Sequence, residues 1–308
     1  MKIVLALGGN ALGSTYAEQT VAVCETARAV VALAAQGHQI AIAHGNGPQV
    51  GMIQQAFDPY TASKNQPPLP LPVDVAMSQA YIGYALQQAL RDELRLSGST
   101  TEVATVLTQV VVDEADPAFQ NPTKPIGLFM TEEAAHAFAA ATGATVKEDA
   151  GRGWRQVVAS PKPVDLVEKE SIRLLTGAGV LVIACGGGGI PVVKDGDRLR
   201  GVPAVIDKDF AAETMAELLN ADLLMILTAV ERVAIRFGKP DQQEKAVMTC
   251  AEALRYADAG EFAPGSMLPK VQAAVRFAQS QSGRVSIIAS LQQAEAAFRG
   301  ESGTKITL

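Results

Sequence analysis

The residues in this chain best suited to chemistry are lysines and glycines. Three lysines stand beside proline, glycine or acidic residues. Lys124 lies in Asn-Pro-Thr-Lys-Pro-Ile-Gly over residues 121–127, and Lys208 in Val-Ile-Asp-Lys-Asp over residues 205–209. Lys270 lies in Ser-Met-Leu-Pro-Lys over residues 266–270, in what reads as the first turn of a helix. The helix dipole disfavours a cation there, and an anion alongside would offset that. Three glycine clusters each follow an aliphatic run: Gly8-Gly9-Asn10, Gly45-Asn46-Gly47, and Gly186-Gly187 with Gly188 and Gly189. Glycine lets backbone N–H groups approach an anion closely, and a following helix N-terminus adds a favourable dipole. Glycine-rich ends of parallel strands are where α/β sheets bind ligands. The combination predicts a phosphate- or carboxylate-handling site. Taken singly, each glycine cluster reads as a tight turn and each lysine as a solvated charge; the recurrence favours a site.

Other chemistries find little support. There is no G-x-x-x-x-G-K-[ST], and residues 45–51 are one residue too long for G-x-G-x-x-G. His38, His44 and His136 lack metal-site spacing, so His44 reads as a hydrogen-bonded structural histidine. Cys185 reads as a small buried hydrophobe. No G-x-S-x-G occurs. Glu132, Glu133, Glu168 and Glu170 read as solvated helix faces, and Tyr81 and Tyr84 as core or interface.

The elements that must hold these residues follow from hydropathy. Residues 103–112, 223–227 and 285–289 are strand candidates, beside the β-branched or aliphatic runs at 3–7, 40–44 and 180–183 that precede the glycine clusters. The latter three are apolar throughout rather than alternating, as in a parallel sheet buried on both faces. Helical spacing links Val21, Cys24, Ala27, Val31 and Ala34, and again Met77, Tyr81, Tyr84, Leu86 and Leu90, with shorter cases at residues 213–219 and 271–278. Strand and helix in alternation predict βαβ units and an α/β fold. Residues 58–72 hold five prolines and read as an irregular loop. Residues of about 116–163 are proline-rich, carry the only tryptophan, and read as an inserted subdomain. Residues 194–197 read as a hairpin with an Asp-Gly turn.

Composition sets the outer limits. The chain has 308 residues, 48% hydrophobic and 19% charged, which is a globular profile. A net charge of -6 without a basic run argues against nucleic-acid binding. Three cysteines without paired spacing argue against a disulfide framework. No run approaches a membrane span, and the apolar start breaks at Gly8, so a cytoplasmic protein is expected.

With these residues in view, the chain resembles the carbamate kinases of the amino-acid-kinase superfamily. The resemblance runs from Leu-Ala-Leu-Gly-Gly-Asn-Ala-Leu at residues 5–12 to Gly-Thr-Lys-Ile at 303–306. Between them lie ordered blocks at 44–51, 77–84, 116–127, 154–163, 186–191, 205–209 and 237–240. It implies an open three-layer αβα sandwich around a mainly parallel sheet, with a small protruding subdomain at about 116–163. Residues 1–205 would form the acceptor-side lobe and residues 206–308 the nucleotide-binding lobe. It implies a homodimer using Mg²⁺ with ATP or ADP, and exchange of ATP plus carbamate for ADP plus carbamoyl phosphate. Lys124 would reach the carbamate or the transferred phosphoryl group. Lys208 and Lys270 would neutralise phosphates, and Asp209 would orient them. Thr228 would join Lys208 and Lys270 on the nucleotide. Gly8, Gly9, Asn10, Gly45, Asn46, Gly47, Gly186 and Gly187 would supply donors around the acceptor and the phosphoryl group. Carbamate is already an anionic nucleophile, so phosphoryl transfer needs alignment and charge cancellation rather than a general base. The chain also departs from the family pattern. Ala229 replaces a usual Asp, Ala234 a usual Tyr, Leu268 a common Gly, and Leu128 a usual Pro. The first two face the expected nucleotide side and favour an alternative, a non-catalytic ligand-sensing or partner-binding protein on the same scaffold.

Overall fold

The computed structural model describes residues 1–8, 12, 15–149 and 151–308. Elements are numbered in chain order. The central sheet contains β1 (Lys2–Leu7), β2 (Gln39–His44), β3 (Val103–Thr105), β9 (Leu181–Ile183), β12 (Leu223–Thr228), β15 (Val247–Thr249), β16 (Val285–Ser290) and β17 (Thr304–Thr307). Their order is β15-β17-β16-β12-β1-β2-β9-β3. Every neighbouring pair is parallel except β16 with β17.

The aliphatic runs explain the layering. Successive strand side chains point to opposite faces. Ile3, Leu5, Ile40, Ile42, Leu223 and Met225 therefore join one core, and Val4, Ala6, Ala41, Ala43, Leu224 and Ile226 the other. The first core is closed by α1 (Tyr16–Ala34), α3 (Leu71–Leu96) and α9 (Ala294–Phe298). The second is closed by α5 (Lys169–Gly177), α6 (Lys208–Leu218), α7 (Cys250–Asp258) and α8 (Met267–Ser280). Burial of each such Leu or Ile contributes about 1.5–3 kcal/mol, so both faces must be covered. The result is the expected three-layer α/β architecture. Among the described residues no helix is long and apolar enough to cross a membrane.

Smaller sheets flank this sandwich. One has the order β11-β10-β4-β8, with β4 (Gln109–Val112), β8 (Pro163–Leu166), β10 (Ile190–Asp195) and β11 (Arg198–Gly201). A second has the order β5-β7-β6, with β5 (Lys124–Met130), β6 (Val146–Glu148) and β7 (Trp154–Val158), and packs with α4 (Glu132–Thr142). A two-stranded ribbon joins β13 (Val233–Ile235) and β14 (Gln243–Lys245). The β5 strand lies against α2 (Gly47–Ser63). A Cβ on Gly51 of α2 would sit 1.9 Å from the Gly127 Cα, so glycine is required at this crossing.

Several local expectations are corrected. The run at 103–112 is two strands in two sheets, β3 and β4. The Gln79 amide holds both the N–H and the C=O of Thr108, which carries the chain from one sheet to the other. Residues 58–72 are not all loop, because α2 continues through Pro59 to Ser63 and α3 starts at Leu71. Pro72 sits in the first turn of α3, where a missing N–H costs nothing. Val21 is 61% exposed and Cys24 exposed, while Val23, Val30 and Leu33 are buried. Tyr84 is 68% exposed, which sets aside the core half of its core-or-interface reading. The hairpin turns at Gly196-Asp197, one residue later than the Asp-Gly reading, because Asp195 pairs with Arg198 and Gly196 takes φ +59°. Glu168 is not merely solvated, since it accepts from the Gln109 backbone and side-chain amides.

Candidate functional site

The strands end in the glycine turns that shape the site. Asn46 caps α2 after β2, and its amide donates to Ser78 Oγ at 2.8 Å. Ser78 in turn donates to the Val75 carbonyl, which fixes Asn46 from α3. After β9, Cys185 takes φ +51° and Gly187 φ +65°. A Cβ on Gly187 would lie 2.2 Å from Asn46 Nδ2, and one on Gly186 2.6 Å from His44 Nε2. Backbone therefore approaches side chain where only glycine fits. His44 is buried and pairs through Nδ1 with the Gly45 carbonyl at 2.9 Å. Burial pushes its pKa down to about 4, so the ring is neutral near pH 7. Cys185 is buried, and burial pushes its thiol well up, which fits an inert hydrophobe.

The start of α6 gathers the charges. Asp207 is its N-cap, and Oδ1 accepts from the Asp209 backbone N–H at 2.9 Å. Its Oδ2 accepts from Lys124 Nζ at 2.6 Å, which ties β5 to this helix. Asp209 is 1% exposed and lies between two ammonium groups, Lys208 Nζ at 3.1 Å and Lys270 Nζ at 3.0 Å. Burial raises the Asp207 pKa, but Lys124 and Lys208 outweigh that and hold it well below the usual carboxylate range. Burial lowers the Lys208 pKa, but Asp209 and Asp207 more than offset it, so the net direction is up. Burial and the neighbouring Lys208 bring Lys270 down.

These groups border a cavity of about 230 Å³. Lys124, Lys208, Gly45, Asn46, Gly47 and Gly187 line it, while Lys270 joins through Asp209. Gly8, Gly186 and Thr228 do not line it. The Gly8 N–H donates to the Leu227 carbonyl, and Gly8 sits against the Thr228 backbone. Gly186 packs behind, on His44 and Gln79. Gly9 and Asn10 lie outside the described residues.

Sequence reasoning did not single out Asp207, Arg152 or Arg155. Arg152 and Arg155 line the cavity and both pair with Asp149. Arg155 also donates twice to the Gly127 carbonyl. The available signals were an Asp one residue before a helix start, and Gly-Arg-Gly-Trp-Arg at 151–155. Among the described residues no group of three or more His, Cys, Asp or Glu is placed to hold a metal. A cavity with several cations and backbone donors can bind and align polyanions.

Residues 1–289 match the amino acid kinase family. The chain is similar to a carbamate kinase of Clostridium perfringens, 55% identical over 99% of both chains. It is equally similar to the carbamate kinase-like protein YqeA of Escherichia coli, at 55% identity over 99% of this chain and 98% of that one. Among solved structures it resembles the carbamate kinase of Giardia lamblia bound to AMP-PNP, with TM-score 0.89, 42% identity, and coverage of 99% and 98%. The chain belongs to the amino acid kinase family and, within it, to the carbamate kinases, which are ATP-dependent phosphotransferases.

Proposed function

We propose that this chain interconverts ATP and carbamate with ADP and carbamoyl phosphate by in-line phosphoryl transfer. The observation that carries this reading is Asp209, buried between Lys208 and Lys270 beside the cavity that Lys124 enters from the other side. Lys208 and Lys270 neutralise the nucleotide phosphates and the transferred group, with Thr228 on the nucleotide side. Asp209 orients both lysines. Lys124 reaches the carbamate or the phosphoryl group from β5. Gly8, Gly9, Asn10, Gly45, Asn46, Gly47, Gly186 and Gly187 supply or shape the backbone donors around the acceptor. Residues 1–205, with the insertion at about 116–163, serve the acceptor, and residues 206–308 the nucleotide.

Magnesium is the implied cofactor. The carboxylates at the site are all engaged, Asp149 by Arg152 and Arg155, and Asp207 and Asp209 by lysine. That donor set fits an ion carried on the nucleotide phosphates rather than a protein cage. Bound there, it would add charge cancellation to that of the lysines. We further propose a cytoplasmic homodimer that takes these small anions and no nucleic acid.

The deciding assay mixes purified chain, Mg²⁺, ADP and carbamoyl phosphate and follows ATP. The expected result is ATP formation well above the spontaneous background. None above background would favour the non-catalytic reading, which Ala229 and Ala234 already motivate.

A further inference from the structure

A second concave site lies at the opposite end of the sheet. It is a basin of about 860 Å³ at the amino ends of β12 and β16. That volume is in the usual range of small-molecule sites, roughly 300–1,000 Å³. Nothing in the proposed reaction uses it, because the lysine cavity sits at the carboxyl ends of the strands.

Its lining is strongly cationic for a chain of net charge -6. Arg232, Arg284, Arg299 and Lys305 face it against a single carboxylate, Asp222, which accepts from the Lys2 backbone N–H. Arg299 is already neutralised by Glu295 and Glu301. Arg232 and Lys305 have no ion-pair partner among the described residues. Arg284 is only 9% exposed. Its two terminal nitrogens are held by Ser280 Oγ at 2.6 Å and Asn220 Oδ1 at 2.9 Å, while Nε has no hydrogen-bond partner. No carboxylate pairs with it among the described residues. Nε is itself buried and the guanidinium lies 5.0 Å from the Phe277 ring centroid, so what Arg284 offers an anion is a positive charge with no carboxylate beside it rather than a free N–H. The rest of the wall mixes polar residues such as Asn220 and Gln281 with apolar ones, among them Val285 and Phe298.

We propose that this basin binds a small organic anion, an acidic head attached to an apolar body. The head, a carboxylate or a phosphate monoester, sits on the Arg232, Arg284 and Lys305 side, and the body packs on Phe298 and Val285. Arg284 is the fixed element, preset by Ser280 and Asn220. Arg232 and Lys305 supply free charge. The inference stands on the basin alone and holds whatever the lysine cavity catalyses.

The test is a fluorescence titration of the full chain with 8-anilinonaphthalene-1-sulfonate, an aromatic anion of the proposed class. Saturable binding at one site per chain is expected, unchanged in Lys208→Ala, whose substitution lies at the other cavity. An Arg232→Ala/Lys305→Ala double variant should bind at least tenfold more weakly. The uncharged N-phenyl-1-naphthylamine should also bind at least tenfold more weakly to the unaltered chain. Displacement by hexanoate alone assigns a carboxylate head, and by phenyl phosphate alone a phosphate head; displacement by both assigns the shared anion chemistry. No saturable binding, a loss under tenfold in the double variant, or weakened binding in Lys208→Ala would overturn the proposal.

Discussion

Asp209 shows how one residue can set the chemistry of two others. With Lys208 and Lys270 at 3.1 and 3.0 Å, it lets two ammonium groups coexist where alone they would repel. Lys208→Ala or Lys270→Ala is expected to lower turnover at least ~100-fold, the scale of losing one preorganised donor to transition-state charge. Near-normal turnover in both would contradict the assignment. Asp209→Asn removes the nearer of two carboxylates that hold the lysine protons, Asp207 being the other. The lysines then lose their protons at lower pH, so the alkaline limb of the kcat profile should move down. An unmoved limb would show that Asp209 does not hold them charged. His44 makes an independent prediction. Its folded pKa of about 4 lies below the ordinary imidazole value of 6.5. The unfolded chain therefore takes up a proton first as pH falls, and stability is lost from pH 6.5 down through about 4. Full burial makes this about 3 kcal/mol. Titration of the ring protons by NMR checks it; a midpoint near 6.5 would contradict the burial argument. At this scale the sequence pointed to the lysines through family blocks and odd local contexts. It did not single out Asp207, whose importance depends on Lys124 arriving from 83 residues away.

At the scale of elements, the contact between α2 and β5 decides whether Lys124 reaches the cavity. Gly51 and Gly127 meet backbone to backbone, and Gly127 takes φ +73°. Gly51→Ala must push the strand away. Overpacking of this kind costs about 1–3 kcal/mol, so the unfolding midpoint should fall. Because β5 carries Lys124, kcat/KM should fall with it. Gly177→Ala is the control, since no atom lies within 4 Å of its added Cβ. Equal midpoints in the two variants would mean that α2 and β5 are not in close contact. The elements themselves were largely legible, because strands buried on both faces read as unbroken aliphatic runs. What was not legible was where such a run changes sheet. β-branched residues stand on both sides of Val106, and the Gln79 amide on Thr108 lies where the chain passes from β3 to β4. The α1 face was misread for a related reason: its valines and alanines lie on several sides, so spacing alone does not choose between Val21 and Val23.

The whole molecule separates its charges by position rather than by total. A net charge of -6 coexists with cationic concavities at both ends of the sheet. Composition therefore argues against a nucleic-acid partner without saying what sign of ligand the sites prefer. The helix-covered parallel sheet followed from the strand–helix alternation, and its three-layer form from the family resemblance. The outer surface did not, since helical spacing left Tyr84 as core or interface and the fold leaves it 68% exposed on α3. Beside it, Leu107 is 54% exposed and Gln87 and Arg91 line the same shallow face. This face is the natural seat for the proposed homodimer, because aromatic and arginine side chains are enriched at such contacts. A stable interface of this kind buries about 1,600 Å² in total. Light scattering should therefore give twice the 32.2 kDa chain mass. Tyr84→Arg with Leu107→Asp places charge at its centre and should shift the chain to monomer. Lys124, Lys208, Asp209 and Lys270 all come from one chain, so the dissociated form should keep its activity per chain. A dimer unaffected by the double variant would move the interface elsewhere. Loss of activity on dissociation would mean that the second subunit steadies the site, beyond the residues one chain supplies.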